Sequence, residues 1–425
     1  MSSVKKNKVN LSDYDCQQDI EYRLLLSDLS FFEHEVLQEI FFSPLKFQIK
    51  KICRALDCEE AKILPVLKKF SKSGLLAIQD DTVLVDKEKR KFFEFHLKRF
   101  EPDFKPDMEY LQGILRKVPI HVLPIWYAIP RTSNNIFESI VEKYLYTPQS
   151  FQRYLSELSF ANPIAHQVMN DVFTNPDFRV SSSDIITKYN LSRQEFEEIL
   201  LILEFSFVAC VTYSKGEDLW LEWVTPFHEW QEYILFIKQT EINPIPKDKK
   251  IIRHEKSDFW FVEKLNHQLS QIQKKSLHKD ENIDKILHLQ LATSQFSLSE
   301  TGHEFIQLTP EKQALFLYRH PLNQAADKNI REVEKSMKRV IRHDWIFFDD
   351  FMKGCIACLN DSMPVCLARV GKTWKYILPV YTDSDIQFIQ RIVFEWLAEI
   401  GIVATGTCDG RDCFSVTEFG SLFFR

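Results

Sequence analysis

The chain has 425 residues, 45% hydrophobic and 27% charged, with a formal net charge of −6. These values exclude a disordered tail or a fibre, and also a polycation that would coat nucleic acid or acidic membrane through its net charge. Only ten residues are glycine, far below the roughly 7% of ordinary chains, which speaks against a nucleotide-binding α/β enzyme, because phosphate loops and tight turns use glycine freely.

At this length two to four compact units are expected, since single domains commonly hold roughly 100–150 residues. Thirty-five phenylalanines suit helix-rich cores. The nine cysteines are an odd, scattered set with no secretory segment ahead of them, so reduced thiols in a cytoplasmic protein are expected. The longest apolar stretch, Ile199 to Val211, is broken by Glu204 and is too short for the ~18–20 residues of a spanning helix, so no membrane partner is expected.

Residues 1–18 are polar, basic at first, and expected to be disordered, with 1–30 forming a tail and lead-in. Residues 31–105 predict three helices and a hairpin. Phe32, Val36, Leu37 and Ile40 share one helical face, Phe47, Ile49, Ile52 and Leu56 a second, and Ile63, Leu67 and Phe70 a third, which Gly74 ends. Pro65 should kink that third helix or move its start to about residue 64. Leu75–Ile78 and Thr82–Val85, separated by Gln79-Asp80-Asp81, then read as a two-stranded wing. Helix, helix, helix and wing is the winged-helix order, a relative of the helix-turn-helix.

Residues 106–162 predict a helical connector carrying Ile136, Ile140, Tyr144, Tyr154 and Leu158. The winged-helix order returns over 163–238. Pro163 to Phe173 is the first helix, Ser181 to Asp184 cap a short second one, and Ser192 with Glu195 makes a capping box for the third. Val208–Tyr213 and Leu219–Trp223 flank a polar turn as the second wing. Residues 239–257, with two prolines and the bases Lys247, Lys249, Lys250, Arg253 and Lys256, predict an exposed linker. It opens a segment, 239–327, read as a linker followed by a degraded fourth copy.

Residues 328–425 hold the C-terminal copy. Asp383 or Ser384 caps a helix over Ile386–Glu399, Gly401 ends it, and Ile402–Thr405 pairs across Asp409-Gly410 with Cys413–Val416. A short echo supports duplication: Phe296-Ser297-Leu298-Ser299-Glu300-Thr301-Gly302 against Phe414-Ser415-Val416-Thr417-Glu418-Phe419-Gly420. The fold class is therefore mainly α with small β-hairpin wings (α+β), an array of three winged-helix modules and this degraded fourth.

The C-terminal pattern Phe394-x-Trp396-Leu397-x-x-Ile400-Gly401-Ile402-Val403, with Phe414-Ser415-Val416-Thr417-x-x-Gly420, resembles the winged-helix regions that accompany DNA-repair and related helicases. So does Phe296–Gly302 followed by Leu308-Thr309-Pro310-Glu311-Lys312, and together they cover about the last 150 residues. The resemblance implies a nucleic-acid-associated accessory role. No helicase motor is present in this chain, and ATP hydrolysis does not carry over.

Catalytic signatures are sparse. Gly371-Lys372-Thr373 echoes a phosphate loop, but Cys366 stands where the first glycine belongs, so it reads as a turn between strands. Cys355-x-x-Cys358, with Cys408 and Cys413, has zinc-like spacing, yet lies on an expected helix with Phe351 and Leu359 where cysteine serves as a small core residue. His166, His228, His303 and His343 form no i, i+4 pair around a carboxylate, and no G-x-S-x-G occurs. Trp220, Trp223, Phe227 and Trp230 read as core, with base stacking as the other reading. No enzymatic activity, cofactor or metal is expected.

The sharpest candidate is the first module. From Lys46 to Arg99 there are fourteen Lys/Arg against eight Asp/Glu, a net of +6, so the remainder carries −12. Lys62, Lys68, Lys69 and Lys72 should project from the third helix away from Ile63, Leu67 and Phe70, and Lys87, Lys89, Arg90 and Lys91 follow the wing. These eight are the expected contacts to duplex DNA. Lysine without arginine, asparagine or glutamine on that face favours phosphate binding over base reading. The other third helices carry Glu195, Glu197, Glu198 and Glu204, and Asp383, Asp385, Glu395 and Glu399. Acidic faces repel phosphate, so those modules are expected to bind a protein partner or simply to pack within the chain. The expectation is a non-enzymatic DNA-associated accessory or regulatory protein; the alternative is a protein-interaction scaffold without nucleic acid.

Overall fold

Four helices of this chain end in a left-handed residue that leads into a hairpin or a single bridge, and that local rule recurs through the architecture. A computed structural model describes residues 16–115, 145–274, 283–319, 327–360, 365–371 and 373–424. The expected disorder of residues 1–15 and the predicted helical segment around Ile136, Ile140 and Tyr144 lie outside these. The described chain is mainly helical with several small antiparallel sheets. It divides into two compact units, residues 1–235 with 367–376, and residues 236–366 with 377–425.

The first unit opens with α1 (Gln17–Ser27), so Gln17 and Gln18 belong to a helix, and α2 (Phe31–Phe42), which Ser30 and Glu33 start with a reciprocal capping box. Then come β1 (Lys46–Gln48), α3 (Ile49–Ala55), α4 (Glu60–Lys72), β2 (Leu76–Gln79) and β3 (Thr82–Val85). β3 pairs antiparallel with both β2 and β1, Phe47 opposite Val83. Helix, strand, helix, helix, strand, strand is the full winged-helix order. α4 begins at Glu60 and runs through Pro65, which correct the expected start near residue 64. Its buried stripe of Ile63, Val66, Leu67 and Phe70 holds the helix despite the one amide hydrogen that proline lacks.

Next in the chain are α5 (Lys87–His96), a short 3-10 turn Leu97–Phe100, α6 (Met108–Leu115), and α7 (Pro148–Glu157). The second module follows with α8 (Pro163–Thr174), β4 (Val180–Ser181), α9 (Ser182–Tyr189), α10 (Arg193–Phe205), β5 (Ala209–Lys215) and β6 (Trp220–Pro226), and α11 (His228–Gln239) comes after it. Its sheet order, β4-β6-β5, repeats that of the first module, and Ser192 and Glu195 form the expected capping box.

The second unit contains β7 (Ile252–Arg253), α12 (Trp260–Gln273), α13 (Ile283–His288), α14 (Glu300–Gln307), α15 (Pro310–Arg319), α16 (Asp327–Met337), β8 (Ile346–Phe347) and α17 (Phe348–Lys353). A hairpin of β9 (Cys366–Val370) and β10 (Thr373–Ile377) comes next, and the first unit includes residues 367–376 of it. The amide of Leu367 donates to the Tyr146 carbonyl, and the Tyr376 hydroxyl donates to that of Leu145. α18 (Asp383–Arg391), capped by Thr382 with Asp385 rather than by Asp383 or Ser384, continues through a π-turn to Glu399. β11 (Val403–Cys408), β12 (Arg411–Val416) and α19 (Glu418–Phe423) close the chain. The wing has the expected register, Val403 opposite Val416, within a sheet of order β7-β11-β12-β8. Residues around 252 are thus an edge strand on the third wing, where a plain linker was expected. α17 ends at Lys353, so Cys355 and Cys358 follow a helix instead of lying on one.

The shared rule is visible in four places. Gly74, Phe207, Gln290 and Gly401 all adopt positive φ just after a helix. The carbonyl of the next residue, Leu75, Val208, Leu291 or Ile402, accepts the amide of Asp86, Phe227, Ser299 or Thr417 as the chain returns from the wing. After Gln290 the wing has shrunk to a single bridge between Ala292 and Leu298. Ser299 and Thr417 then cap the following helix through the amides of Gly302 and Gly420. At both glycines a Cβ would collide with the Leu291 or Ile402 carbonyl, which accounts for the sequence echo.

Candidate nucleic-acid interface

Module one presents its surface on α3 and α4. In α4 the core takes Ile63, Val66, Leu67 and Phe70, and at about 100° per residue the opposite side carries Ala61, Pro65, Lys68 and Lys72, all exposed. Lys62 is exposed on the flank, with its ammonium 4.3 Å from the centre of the Phe32 ring. Lys69 is turned back towards the module. Its Nζ lies 2.9 Å from Asp28 Oδ2 and 2.9 Å from Glu33 Oε1. Partial burial opposes its charge, but these carboxylates outweigh that and raise its pKa.

The four cations after the wing also divide. Lys87 is exposed and has no ion pair among the described residues. Lys89 donates to the Ser73 carbonyl at 3.2 Å, and Arg90 donates to the carbonyls of Phe41 and Ser43 at the end of α2. Both are half-buried and complete helix ends, where cations meet unsatisfied carbonyls. Lys91 pairs with Glu88 at 3.0 Å. Of the eight expected contacts, then, Lys62, Lys68, Lys72 and Lys87 face solvent without an ion pair among the described residues, while Lys69, Lys89, Arg90 and Lys91 are engaged locally. Arg99, counted in the +6, is buried.

Four further cations belong with this surface. α3 buries Ile49 and Ile52 and leaves Lys50, Lys51 and Arg54 exposed, beside exposed Lys46 on β1. None has an ion pair among the described residues. The helical spacing of Ile49 and Ile52 against 50, 51 and 54 is the sequence signal for this surface. The wing tip is different: Asp80, at φ 50°, and Asp81 are both exposed.

The second module offers no comparable surface. α10 buries Phe196, Glu197, Ile199, Leu200, Leu201, Leu203, Glu204 and Phe205. Glu204 was expected on an acidic outer face; it is fully buried instead, 2.6 Å from Arg23 Nη2, with Arg99 bidentate at 3.0 and 3.2 Å. Burial favours the neutral acid, but the two guanidiniums outweigh it and hold the carboxyl at about 2. Arg99 also donates to the Tyr110 hydroxyl at 2.6 Å. Glu197 is likewise buried and paired with Arg193, and Glu195 is spent in the capping box. In the C-terminal module Asp385 is spent in a cap and Glu399 pairs with Lys285.

The aromatic wing of module two is mostly core. Phe227 and Trp230 are fully buried. Trp220 packs against Phe31, His34 and Phe100, which fastens this wing to module one. Trp223 is half-buried beneath Arg179.

Elsewhere a cavity of about 630 Å³ lies along α18, lined by Gln387, Gln390, Arg391, Phe394 and Glu395. Its single arginine is offset by Glu395 and by Asp412 nearby. Glu229 is fully buried on α11 and accepts the Met108 amide at 3.2 Å, and burial pushes its carboxyl up to about 8. Among the described residues no three His, Cys, Asp or Glu side chains are grouped to hold a metal ion, and no helix is long and apolar enough to cross a membrane. No family model, curated protein or solved structure matches this chain.

Proposed function

We propose that this chain is a non-enzymatic, DNA-associated accessory protein whose first winged helix binds duplex DNA. One observation carries the reading: Lys50, Lys51, Arg54, Lys68 and Lys72 stand exposed on the two helices of a helix-turn-helix, without ion pairs among the described residues. Charges left unpaired on that surface have phosphate as their natural counterpart. The resemblance of the C-terminal third to winged-helix regions of DNA-repair-type helicases supports the same assignment. A protein partner meets the C-terminal module, where Asp383 and Glu395 remain exposed.

The test is the affinity of the full chain for duplex DNA across a salt series. Binding whose logarithm falls steeply with the logarithm of salt supports the reading, because neutralised phosphates release counterions. Absence of binding at low salt overturns it in favour of a protein-interaction scaffold. That second reading draws on the acidic wing tip, Asp80 and Asp81, which repels phosphate where many winged helices approach it.

A further inference from the structure

We infer that module one grips duplex DNA by its phosphate backbone alone, with α3 as the principal contact, and takes duplexes irrespective of sequence. This rests on the proposed function and specifies its substrate class. In helix-turn-helix docking the second helix of the pair reads base edges while the first crosses the backbone. Here the second helix is poorly equipped to read. Ala61 and Pro65 on its outward stripe offer no side-chain hydrogen bond, and Lys68 and Lys72 are flexible point charges rather than planar forks. No arginine, asparagine or glutamine occurs anywhere between Glu60 and Lys72, so the residues that pair bidentately with guanine or adenine are missing.

The first helix is equipped for the backbone. Lys50 and Arg54 are one turn apart and Lys51 lies beside them, over a face sealed by Ile49 and Ile52. Lys46 extends the row onto β1. Lys68 and Lys72 occupy the C-terminal half of α4, and the acids of this segment, Asp57, Glu59 and Glu60, gather at the turn and at the start of α4. The positive surface therefore has two lobes, α3 and the far half of α4. Asp80 and Asp81 keep the wing out of the contact. Single strands are commonly held by aromatic platforms; the aromatic residue of α4, Phe70, is fully buried, and α3 has none.

The experiment compares the full chain on several duplexes of equal length and unrelated sequence, each titrated across salt, and on a single strand of the same length. Affinities should agree within about twofold among duplexes and exceed that for the single strand. The variant K50Q/K51Q/R54Q should weaken binding equally on every duplex and reduce the salt slope by up to about 2.7, from roughly 0.9 per phosphate contact. The charge-preserving K50R/K51R/R54K should bind as the parent does, which separates charge from shape. Preference for one duplex above about tenfold, equal or tighter binding of the single strand, or a triple glutamine variant that binds like the parent overturns this inference while leaving DNA association standing. Failure of the parent to bind any DNA at low salt overturns both.

Discussion

α4 and α10 are the same element of the same fold, thirteen residues each, and they are buried in opposite ways. α4 buries four residues on one face and leaves the other to water, so its lysines remain available. α10 buries eight, because α1, α6 and the 3-10 turn bring Arg23, Tyr110 and Arg99 onto the side that a DNA-binding module would expose. A winged-helix order therefore says where a reading helix could be, and the packing around it decides whether it can be reached. Module two is a structural block to which module one is fastened through Trp220 and the Arg23–Glu204–Arg99 cluster.

The contrast breaks most sharply at Glu204. Its replacement by alanine strands two buried guanidiniums and should cost about 3–5 kcal/mol, read as a lowered denaturant midpoint. A mild effect would mean that α10 is not core. The pH dependence has a defined sign: the folded carboxyl titrates at about 2, below its unfolded value of about 4.3. Its stabilisation is present above that unfolded value and is lost as pH falls towards 2.

Glu229 tests the same buried region with the opposite sign. Its folded value of about 8 lies above the unfolded one, so wild-type stability should decline as pH rises from about 4.3 to 8. E229Q, which mimics the protonated acid, should lack that decline and be the more stable protein at pH 9. Melting curves of the two proteins showing the same pH profile would remove the assignment.

On the open helix, K68A with K72A should lower DNA affinity about equally for all duplexes and shift stability by no more than about 0.5 kcal/mol. Unfolding of the double variant, seen by circular dichroism, would show that the helix faces are assigned wrongly. The smallest effect on DNA affinity belongs to K69A. Losing its partly exposed pairs with Asp28 and Glu33 should cost about 0.2–1 kcal/mol and leave DNA affinity nearly unchanged. A larger loss of affinity from K69A than from K68A would invert the picture of which lysines face the duplex.

Periodicity made the wings and most helices legible, since the apolar spacing at Ile63, Leu67 and Phe70, the capping box at Ser192 and Glu195, and the hairpin across Asp409-Gly410 are local signals. The first strand of each module escaped because two or three residues such as Lys46–Gln48 carry no periodic pattern of their own and exist through pairing with β3. The candidate site was legible as an excess of lysine. It was not legible which cations would be consumed: the sequence does not set Lys69, Lys89 and Arg90 apart from Lys68, Lys72 and Lys87.

By itself, then, the sequence determined most of the helices and the repeating order of wings, because those depend on neighbours within a few residues. Only the tertiary structure decided that Glu204 is a buried counter-ion rather than part of an acidic surface, and that residues 367–376 belong with the first unit. The physical reason is distance along the chain. Arg99 and Arg23 stand 105 and 181 residues from Glu204, and no local pattern records which distant charge will neutralise a carboxylate once both leave water.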